Sequence, residues 1–192
     1  MRWWLAAVAC VACGGKLPET RYYQLAAHAQ AAPAGGQAVL AIEPLAADPA
    51  YDDERIVYRT TPYRLDYYHY HRWSALPGVM IAGYLEQALE NTGQFRAVVR
   101  APSDTATLVL GGRVVAIEEV DAAKNRWVGR IALELVVSDP RTNASLWTRR
   151  IEETEPLRVQ SPEGLAEALS AAMARVTARI GPEVAGVTRP KK

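Results

Sequence analysis

The segment from Arg126 to Ser138 restricts the fold of this chain more than any other part of its sequence. Apolar or small side chains occupy every second position from Trp127 to Val137, and arginine, glutamate and serine stand at several positions between them. Successive side chains of a β-strand point to opposite faces, so this alternation predicts one long strand with a buried face. The pattern is typical of an antiparallel sheet that packs one side against a helical layer.

Shorter patterns on both sides of this segment predict the remaining elements. Apolar runs predict strands at 38–43, 54–59, 63–71, 95–100, 107–119 and 145–153. Apolar stripes predict one helix over 75–92 with Ser74 as its N-cap. They predict a second helix that begins at Ser161 and Pro162 and ends at Gly181. The order predicts an α+β fold, a mostly antiparallel β-sheet with two α-helices packed on one face.

The first thirteen residues have the layout of a secretory signal. Arg2 precedes an apolar run that is shorter than the ~20 residues a membrane-spanning helix needs. A cysteine that ends such a leader resembles a bacterial lipobox, in which the thiol receives a diacylglycerol and the chain is cut before it. Cys13 fits this pattern, and Cys10 is the alternative, with a signal of only nine residues.

The residue after the cysteine bears on the membrane that receives the protein. In many Gram-negative bacteria an aspartate there retains a lipoprotein in the inner membrane, and Gly14 does not. We therefore expect a lipid anchor on the periplasmic face of the outer membrane. The expected domains are a signal peptide (1–12), a lipidated N-terminus with a flexible Ala/Gly/Pro/Gln-rich tether (13–37), a periplasmic α+β domain (38–186) and a basic tail (187–192).

Charge and residue content argue against several functions. Without Arg2 the chain carries 21 basic and 21 acidic residues, a balance that does not fit a nucleic-acid-binding surface. Both cysteines lie in the leader, so the body has neither a disulfide nor a thiol nucleophile. Adjacent carboxylates occur at 52–53, 118–119 and 152–153, but neighbours on a strand point to opposite faces. We therefore expect no catalytic residues and no cofactor.

His69 and His71 have a spacing that zinc sites use on strands. A third ligand is missing, because His28 lies in the tether and Asp52 would have to serve. A hydrogen-bonded pair in an aromatic hairpin is the preferred interpretation, and we expect no metal site.

The aromatic content of the middle of the chain points to a partner surface. Seven of the nine tyrosines lie between Tyr51 and Tyr84, and tyrosine is common at surfaces that bind partners. If Tyr63, Leu65 and Tyr67 face the core, the arginine and the aspartate between them face solvent, and neither charged side chain has to be buried. The predicted partner surface then comprises Arg64, Tyr68, Tyr70, Arg72 and Trp73.

Three blocks of the sequence carry a family likeness. They are Tyr22-Tyr23-Gln24-Leu25, the stretch from Asp52 to Arg59, and Tyr68-His69-Tyr70-His71-Arg72-Trp73. Together with the leader they resemble the ABC-type transport auxiliary lipoproteins, which include the paraquat-inducible protein C group. The resemblance implies a periplasmic α+β domain that is not an enzyme and that assists an MCE (mammalian cell entry) protein with its ABC permease and ATPase. Such systems move lipids between the two membranes.

Two other functions remain open at this stage. One is a chaperone-like lipoprotein for lipopolysaccharide or outer-membrane protein assembly, and the other is a zinc-dependent periplasmic enzyme that uses His69 and His71. Self-association into a homo-oligomer is also open.

Overall fold

The computed structural model describes residues 18–27, 32–123 and 126–187, which form nine strands and two helices around one hydrophobic core. The strands are β1 (Arg21–Tyr23), β2 (Val39–Ile42), β3 (Ala46–Ala47), β4 (Arg55–Thr61), β5 (Arg64–Trp73), β6 (Ala97–Arg100), β7 (Leu108–Ala123), β8 (Arg126–Ser138) and β9 (Ser145–Pro156). The helices are α1 (Pro77–Asn91) and α2 (Pro162–Ala185), and a 3-10 turn spans Pro49–Tyr51. The predicted strands and helices all occur, and β8 has its predicted bounds.

The sheet is mixed, which corrects the expectation of a mostly antiparallel one. The long strand β7 pairs along one edge with β8, antiparallel, and β8 pairs with β9 in the same way. Along its other edge β7 pairs parallel with β2, β3 and β4 in succession. Strand β7 thus connects all parts of the curled sheet, because several shorter strands pair with it in succession. The β4–β5 hairpin and β1 extend the sheet on one side.

The buried face of β8 lies beneath helix α2. Ile131, Leu133 and Leu135 are fully buried in the core. A Cβ atom at Gly129 would lie 3.1 Å from the Leu169 side chain and 3.3 Å from Leu165, so glycine allows the helix to approach the strand closely. Helix α1 contacts α2 directly, because the Tyr84 hydroxyl donates to the Ser170 carbonyl oxygen at 3.2 Å.

The helix ends agree with the sequence in part. The Ser161 side chain accepts a hydrogen bond from the Gly164 amide at 3.1 Å, as expected of an N-cap. Helix α2 does not end at Gly181 but continues through Pro182 to Ala185. Helix α1 begins at Pro77 with Leu76 as its N-cap, so Ser74 does not cap it.

The N-terminal part of the domain begins before residue 38, which corrects the predicted extent of the tether. Strand β1 pairs parallel with the end of β5, and Tyr23 and Leu25 are buried in the core. The Ala32 and Gly35 amides donate to the carbonyl oxygens of Asn91 and Gly93 at 2.9 and 2.7 Å. Buried apolar contacts and these bonds therefore attach the described residues of the segment to the sheet and to the end of α1.

The predicted leader, both cysteines, His28 and most of the basic tail lie outside the described residues. Within the described residues, neither helix combines the length and apolar character that crossing a bilayer requires.

Candidate functional site

The tyrosine-rich region forms one side of the sheet, where β1, β5 and β4 lie next to each other. Its strand alternation is interrupted. Arg55 pairs with Arg72 and Val57 pairs with Tyr67. Between these two pairs the chain advances by two residues on β4 but by five on β5, so β5 contains extra residues there. Such a bulge moves side chains to a face that simple alternation does not predict. Tyr68 and His71, three residues apart, consequently meet edge to face with ring centres 5.5 Å apart.

Two residues of the predicted partner surface are not exposed as expected. Trp73 is 1% exposed and belongs to the core. Tyr68 is half-buried, packs against Tyr58 with ring centres 5.1 Å apart, and donates a hydrogen bond of 2.9 Å to Oε1 of the buried Glu119. Because Glu119 pairs with Gly129 beneath α2, Tyr68 points to the helical side, and the predicted register of this strand is wrong at Tyr68.

The remaining residues of that surface are accessible. Tyr70 is exposed, Arg72 is half-buried, and Arg64 is exposed and bonded to Asp66 at 2.7 Å. Tyr22 is 63% exposed, and it pairs with Arg72 where β1 lies beside β5. The sequence does not predict Tyr22 as part of this surface, because β1 falls within the predicted tether. We call Tyr22, Tyr70 and Arg72 the edge patch.

The structure gives His69 and His71 different surroundings. His71 Nδ1 lies 2.8 Å from the Tyr23 hydroxyl, whereas His69 is exposed beside Tyr70. In the described part of the chain, no three histidine, cysteine, aspartate or glutamate side chains come together as a metal site would require.

We expect the double variant His69→Gln/His71→Gln to bind no less metal than the parent protein. A zinc site needs at least three protein ligands, and His71 already bonds to Tyr23. Zinc content measured by mass spectrometry on protein purified without added metal tests this. Stoichiometric zinc that disappears in the double variant would contradict the expectation.

The adjacent carboxylates of β7 point in the directions that their positions on a strand predict. Glu118 and Glu119 are both fully buried and point to opposite faces of β7. Glu118 accepts hydrogen bonds from Tyr51 (2.7 Å), Arg59 (3.1 Å) and Arg130 (2.7 Å). Burial and the bond to Glu118 raise the pKa of Tyr51 to about 12. These contacts hold Glu118 within an ion network.

Three members of the other adjacent pairs, Asp53, Glu152 and Glu153, also form ion pairs. Asp53 bonds to Arg55 at 2.9 Å, which lowers the pKa of Asp53. Glu152 bonds to Arg130 at 2.7 Å, and that bond lowers the pKa of Glu152. Glu153 bonds to Arg175 and Arg179. These ion pairs favour the ionised forms of Asp53 and Glu152.

The structure also brings together two acids that the sequence reading did not combine. Glu119 and Asp121 stand two residues apart on β7, so their side chains share one face of the strand. Burial is the main cause that raises the pKa of Glu119, to about 7, and the charge of Asp121 helps to raise it. Burial also raises the pKa of Asp121. The i, i+2 spacing within a long strand was the available signal.

A groove of about 470 Å³ lies between α1 and α2. Ala26 and Ala27 line it, and the Ala26 amide donates a 3.1 Å hydrogen bond to Ser170 Oγ. A second groove, of about 430 Å³, is lined by residues 24–27, by α1 and by the residues just before α1. Small or apolar side chains form most of the first groove, namely Ala26, Ala27, Tyr84, Ala88, Ala171, Ala174 and Ala178.

Comparisons with known proteins identify one matching family and solved structures with a similar fold. The profile of the ABC-type transport auxiliary lipoprotein component family matches residues 23–181. A Xanthomonas campestris protein of known structure is similar, with a TM-score of 0.74, 20% identity, and coverage of 86% of this chain and 94% of that one. A second solved structure, of an uncharacterized protein, has a TM-score of 0.68 and 16% identity over 87% and 99% of the two chains. No curated protein matches the sequence.

Proposed function

This chain belongs to the ABC-type transport auxiliary lipoprotein family, and we propose that it is a non-catalytic accessory component of an MCE/ABC lipid transport system. In this proposal a lipidated Cys13 holds the domain on the periplasmic face of the outer membrane, where it binds the MCE-domain protein. The observation that carries the proposal is the family match, which extends over nearly the whole described domain.

The chemistry of the described residues supports a binding role over catalysis. Glu118, Glu152 and Glu153 are held by arginines on neighbouring strands or on α2. A general acid or base needs a group with access to substrate and a pKa suited to proton transfer. Glu119 has a shifted pKa, but its side chain is 0% exposed and bonds to Tyr68.

The groove between α1 and α2 supports the lipid part of the proposal. Among its described lining residues Glu167 alone carries a formal charge, and Glu167 bonds to Arg158 at 3.2 Å. Its volume lies within the ~300–1,000 Å³ of ligand pockets, which are mostly apolar. A groove of this size, with one charged lining residue that is already paired, suits a lipid acyl chain better than a charged headgroup.

The edge patch is the proposed contact with the MCE-domain protein. Tyrosine and arginine are enriched at interface hot spots, where truncation of one side chain costs ~2 kcal/mol or more. Tyr22 and Tyr70 are 63% and 42% exposed, so their rings are available to a partner without rearrangement of the core.

We expect the double variant Tyr22→Ala/Tyr70→Ala to capture an MCE-domain protein of the same organism at least tenfold more weakly than the parent protein does. Its melting temperature should stay close to that of the parent, because exposed side chains contribute little to stability. Capture is measured with the purified lipoprotein and detergent-solubilised membranes, followed by titration with the purified partner.

The matched control is Tyr63→Ala. Tyr63 is 98% exposed at the β4–β5 turn, away from the edge patch, and its removal should leave capture unchanged. Full-affinity capture by the Tyr22/Tyr70 variant would show that the partner surface lies elsewhere. Failure of the parent protein to capture an MCE-domain protein would reject the proposed partner itself.

A further inference from the structure

Several turns of the chain meet at one end of the sheet. Strand β4 runs parallel to β7, with Arg59 opposite Val120, so the β4–β5 turn and the end of β7 lie at the same end. Strand β8 starts at that end because it is antiparallel to β7, and β9 finishes there, with Pro156 opposite Val128. The β4–β5 turn, the start of β8 and the loop between β9 and α2 therefore share one end of the domain.

Exposed apolar and basic side chains lie at this end. Tyr63 of the β4–β5 turn is 98% exposed, and Val159 of the loop before α2 is 62% exposed. Arg64, Arg126 and Arg158 are exposed at the same end. We call these five residues the end surface. Tyrosine is enriched at the boundary between lipid and water, and arginine side chains also suit that boundary.

Contacts within the β4–β5 turn hold Tyr63 outward. The Arg59 side chain donates a 3.1 Å hydrogen bond to the Pro62 carbonyl oxygen, and the Tyr63 amide donates a 3.3 Å bond to Oγ1 of Thr61. Arg59 is itself fixed by its ion pair with the buried Glu118 at 3.1 Å. The backbone of the turn is thus already ordered, so little conformational entropy is lost when the turn meets another surface.

The N-terminal strand enters the sheet from the side of this end. Strand β1 is parallel to β5, and Tyr22 lies in one row with Arg72 and Arg55. From Arg55 to the turn at Thr61, β4 advances six residues, or roughly 20 Å at ~3.3 Å per residue. Nine residues separate Cys13 from Tyr22, and they span at most about 32 Å when fully extended. Only a link extended almost to its limit would keep the turn clear of the headgroups around a lipidated Cys13.

We propose that the end surface rests on the phospholipid headgroups of the membrane that holds the lipid anchor, with Tyr63 inserted among them. This inference rests on the proposed lipidation of Cys13. The contact is too small to hold a free protein at a membrane, but a short link to the bilayer gives the domain an effective concentration on the order of millimolar at its surface. The apolar part of the Tyr63 ring then leaves water while its hydroxyl stays among polar headgroups.

The arginines of the end surface suit the phosphate groups of lipids. Arg64 bonds to Asp66 at 2.7 Å and Arg158 bonds to Glu167 at 3.2 Å, and both arginine side chains are largely open to solvent. Exposed ion pairs contribute little to stability, so a phosphate can replace either carboxylate at small cost. A guanidinium group binds phosphate through two parallel hydrogen bonds, which favours a headgroup over an apolar partner here.

The test measures the depth of position 63 in a membrane with a spin label. The chain has no cysteine after Cys13, whose thiol the acyl group occupies, so Tyr63→Cys introduces a single reactive thiol. The lipidated, labelled protein is reconstituted into vesicles of phosphatidylethanolamine and phosphatidylglycerol. We expect collisions of the label with a water-soluble nickel complex to be at least about threefold rarer than those of a label at the control position, Leu76→Cys.

Leu76 is a matched control because it lies at the opposite end of the domain, between β5 and α1. It is 43% exposed against 98% for Tyr63, so without a membrane contact the label at position 63 is the more accessible of the two. Lower accessibility at position 63 than at position 76 therefore reports the bilayer and not the fold.

A second measurement avoids the label. Hydrogen exchange of the amides in the β4–β5 turn of the lipidated parent should slow at least about threefold when the protein is moved from detergent into vesicles. The variant Tyr63→Ala/Val159→Ala should lose this protection, whereas Tyr63→Trp should keep it, because tryptophan is the other aromatic residue of membrane interfaces. Both side chains are exposed, so these variants should fold as the parent does.

The outcomes separate this inference from the proposed function. A water-accessible label at position 63 in lipidated, vesicle-bound protein would overturn the membrane contact and leave the proposed function standing. Shielding of position 63 only after an MCE-domain protein is added would assign this end to a protein partner, which also contradicts the contact. Absence of acyl chains on Cys13, found by mass spectrometry, would reject the proposed anchor and this contact together. Partner capture in detergent involves no bilayer, so Tyr63→Ala tests the two surfaces independently.

Discussion

Glu118→Ala is expected to lower the free energy of unfolding by about 3–5 kcal/mol, the cost of breaking a buried ion pair by removal of one partner. The Glu118 side chain is 0% exposed and accepts hydrogen bonds from Tyr51, Arg59 and Arg130. Its removal leaves the two guanidinium groups, 24% and 29% exposed, without their shared carboxylate. Urea unfolding followed by circular dichroism measures the loss.

Glu134 provides a matched control in the same sheet. It also bridges two arginines, Arg113 at 2.7 Å and Arg150 at 2.8 Å, but its side chain is 33% exposed. Water and salt screen such a pair, so Glu134→Ala should cost less than about 1 kcal/mol. Equal losses for the two variants would show that burial does not set the strength of these networks. Glu118→Gln should fall between them, because its amide oxygen still accepts hydrogen bonds while its charge is gone.

Cys13→Ser is expected to abolish attachment to the outer membrane. Neither helix of the described residues can span a bilayer, and the proposed anchor consists of acyl chains that contribute ~0.8 kcal/mol for each buried methylene group. Without the thiol no diacylglycerol is added, so the chain should accumulate as uncleaved precursor or as soluble protein. Metabolic labelling with a radioactive fatty acid and fractionation of membranes measure the effect.

The neighbouring cysteine supplies the control. Cys10→Ser should keep both its fatty-acid label and its place in the outer-membrane fraction. A labelled Cys13→Ser variant together with an unlabelled Cys10→Ser variant would move the lipidation site to Cys10. Label in both single variants, or recovery of the parent protein in the inner membrane, would reject the proposed anchor or its proposed location.

The elements were predicted well where one face of a long segment is buried. Strand β8 keeps its predicted bounds because its alternation extends over the whole strand, and α2 begins where Ser161 caps it. Pro182 did not end α2, although a proline interrupts the backbone hydrogen bonds of a helix. Val184 is fully buried beyond it, and burial of this side chain favours one more turn.

The candidate site was predicted less well, because its geometry depends on a bulge. Tyr63, Leu65 and Tyr67 were expected to face inward and Tyr68 outward, whereas Tyr58 pairs with both Asp66 and Glu119, which puts Tyr68 on the Glu119 face and Tyr67 on the opposite one. The bulge between Tyr67 and Arg72 then brings His71 to the same face as Tyr68. Nothing in the local pattern of β5 marks the bulge, since tyrosine, histidine and arginine all tolerate either face of a half-buried strand. Tyr22 could not be predicted either, because β1 has only three residues, too few to show the alternation of a strand.

By itself the sequence determined the positions of most elements, the buried face of β8, the cap of α2 and the family likeness. These features depend on residues close together in the chain, through the 2.0 and 3.6 residue periods of strands and helices. Only the tertiary structure decided that β7 pairs parallel with β2, β3 and β4, and that Glu118 and Glu119 have different partners. Parallel pairing joins residues as distant in the chain as Leu40 and Leu108. Which strands pair in this way depends on how the whole sheet is buried, and short sequence patterns carry no information about that.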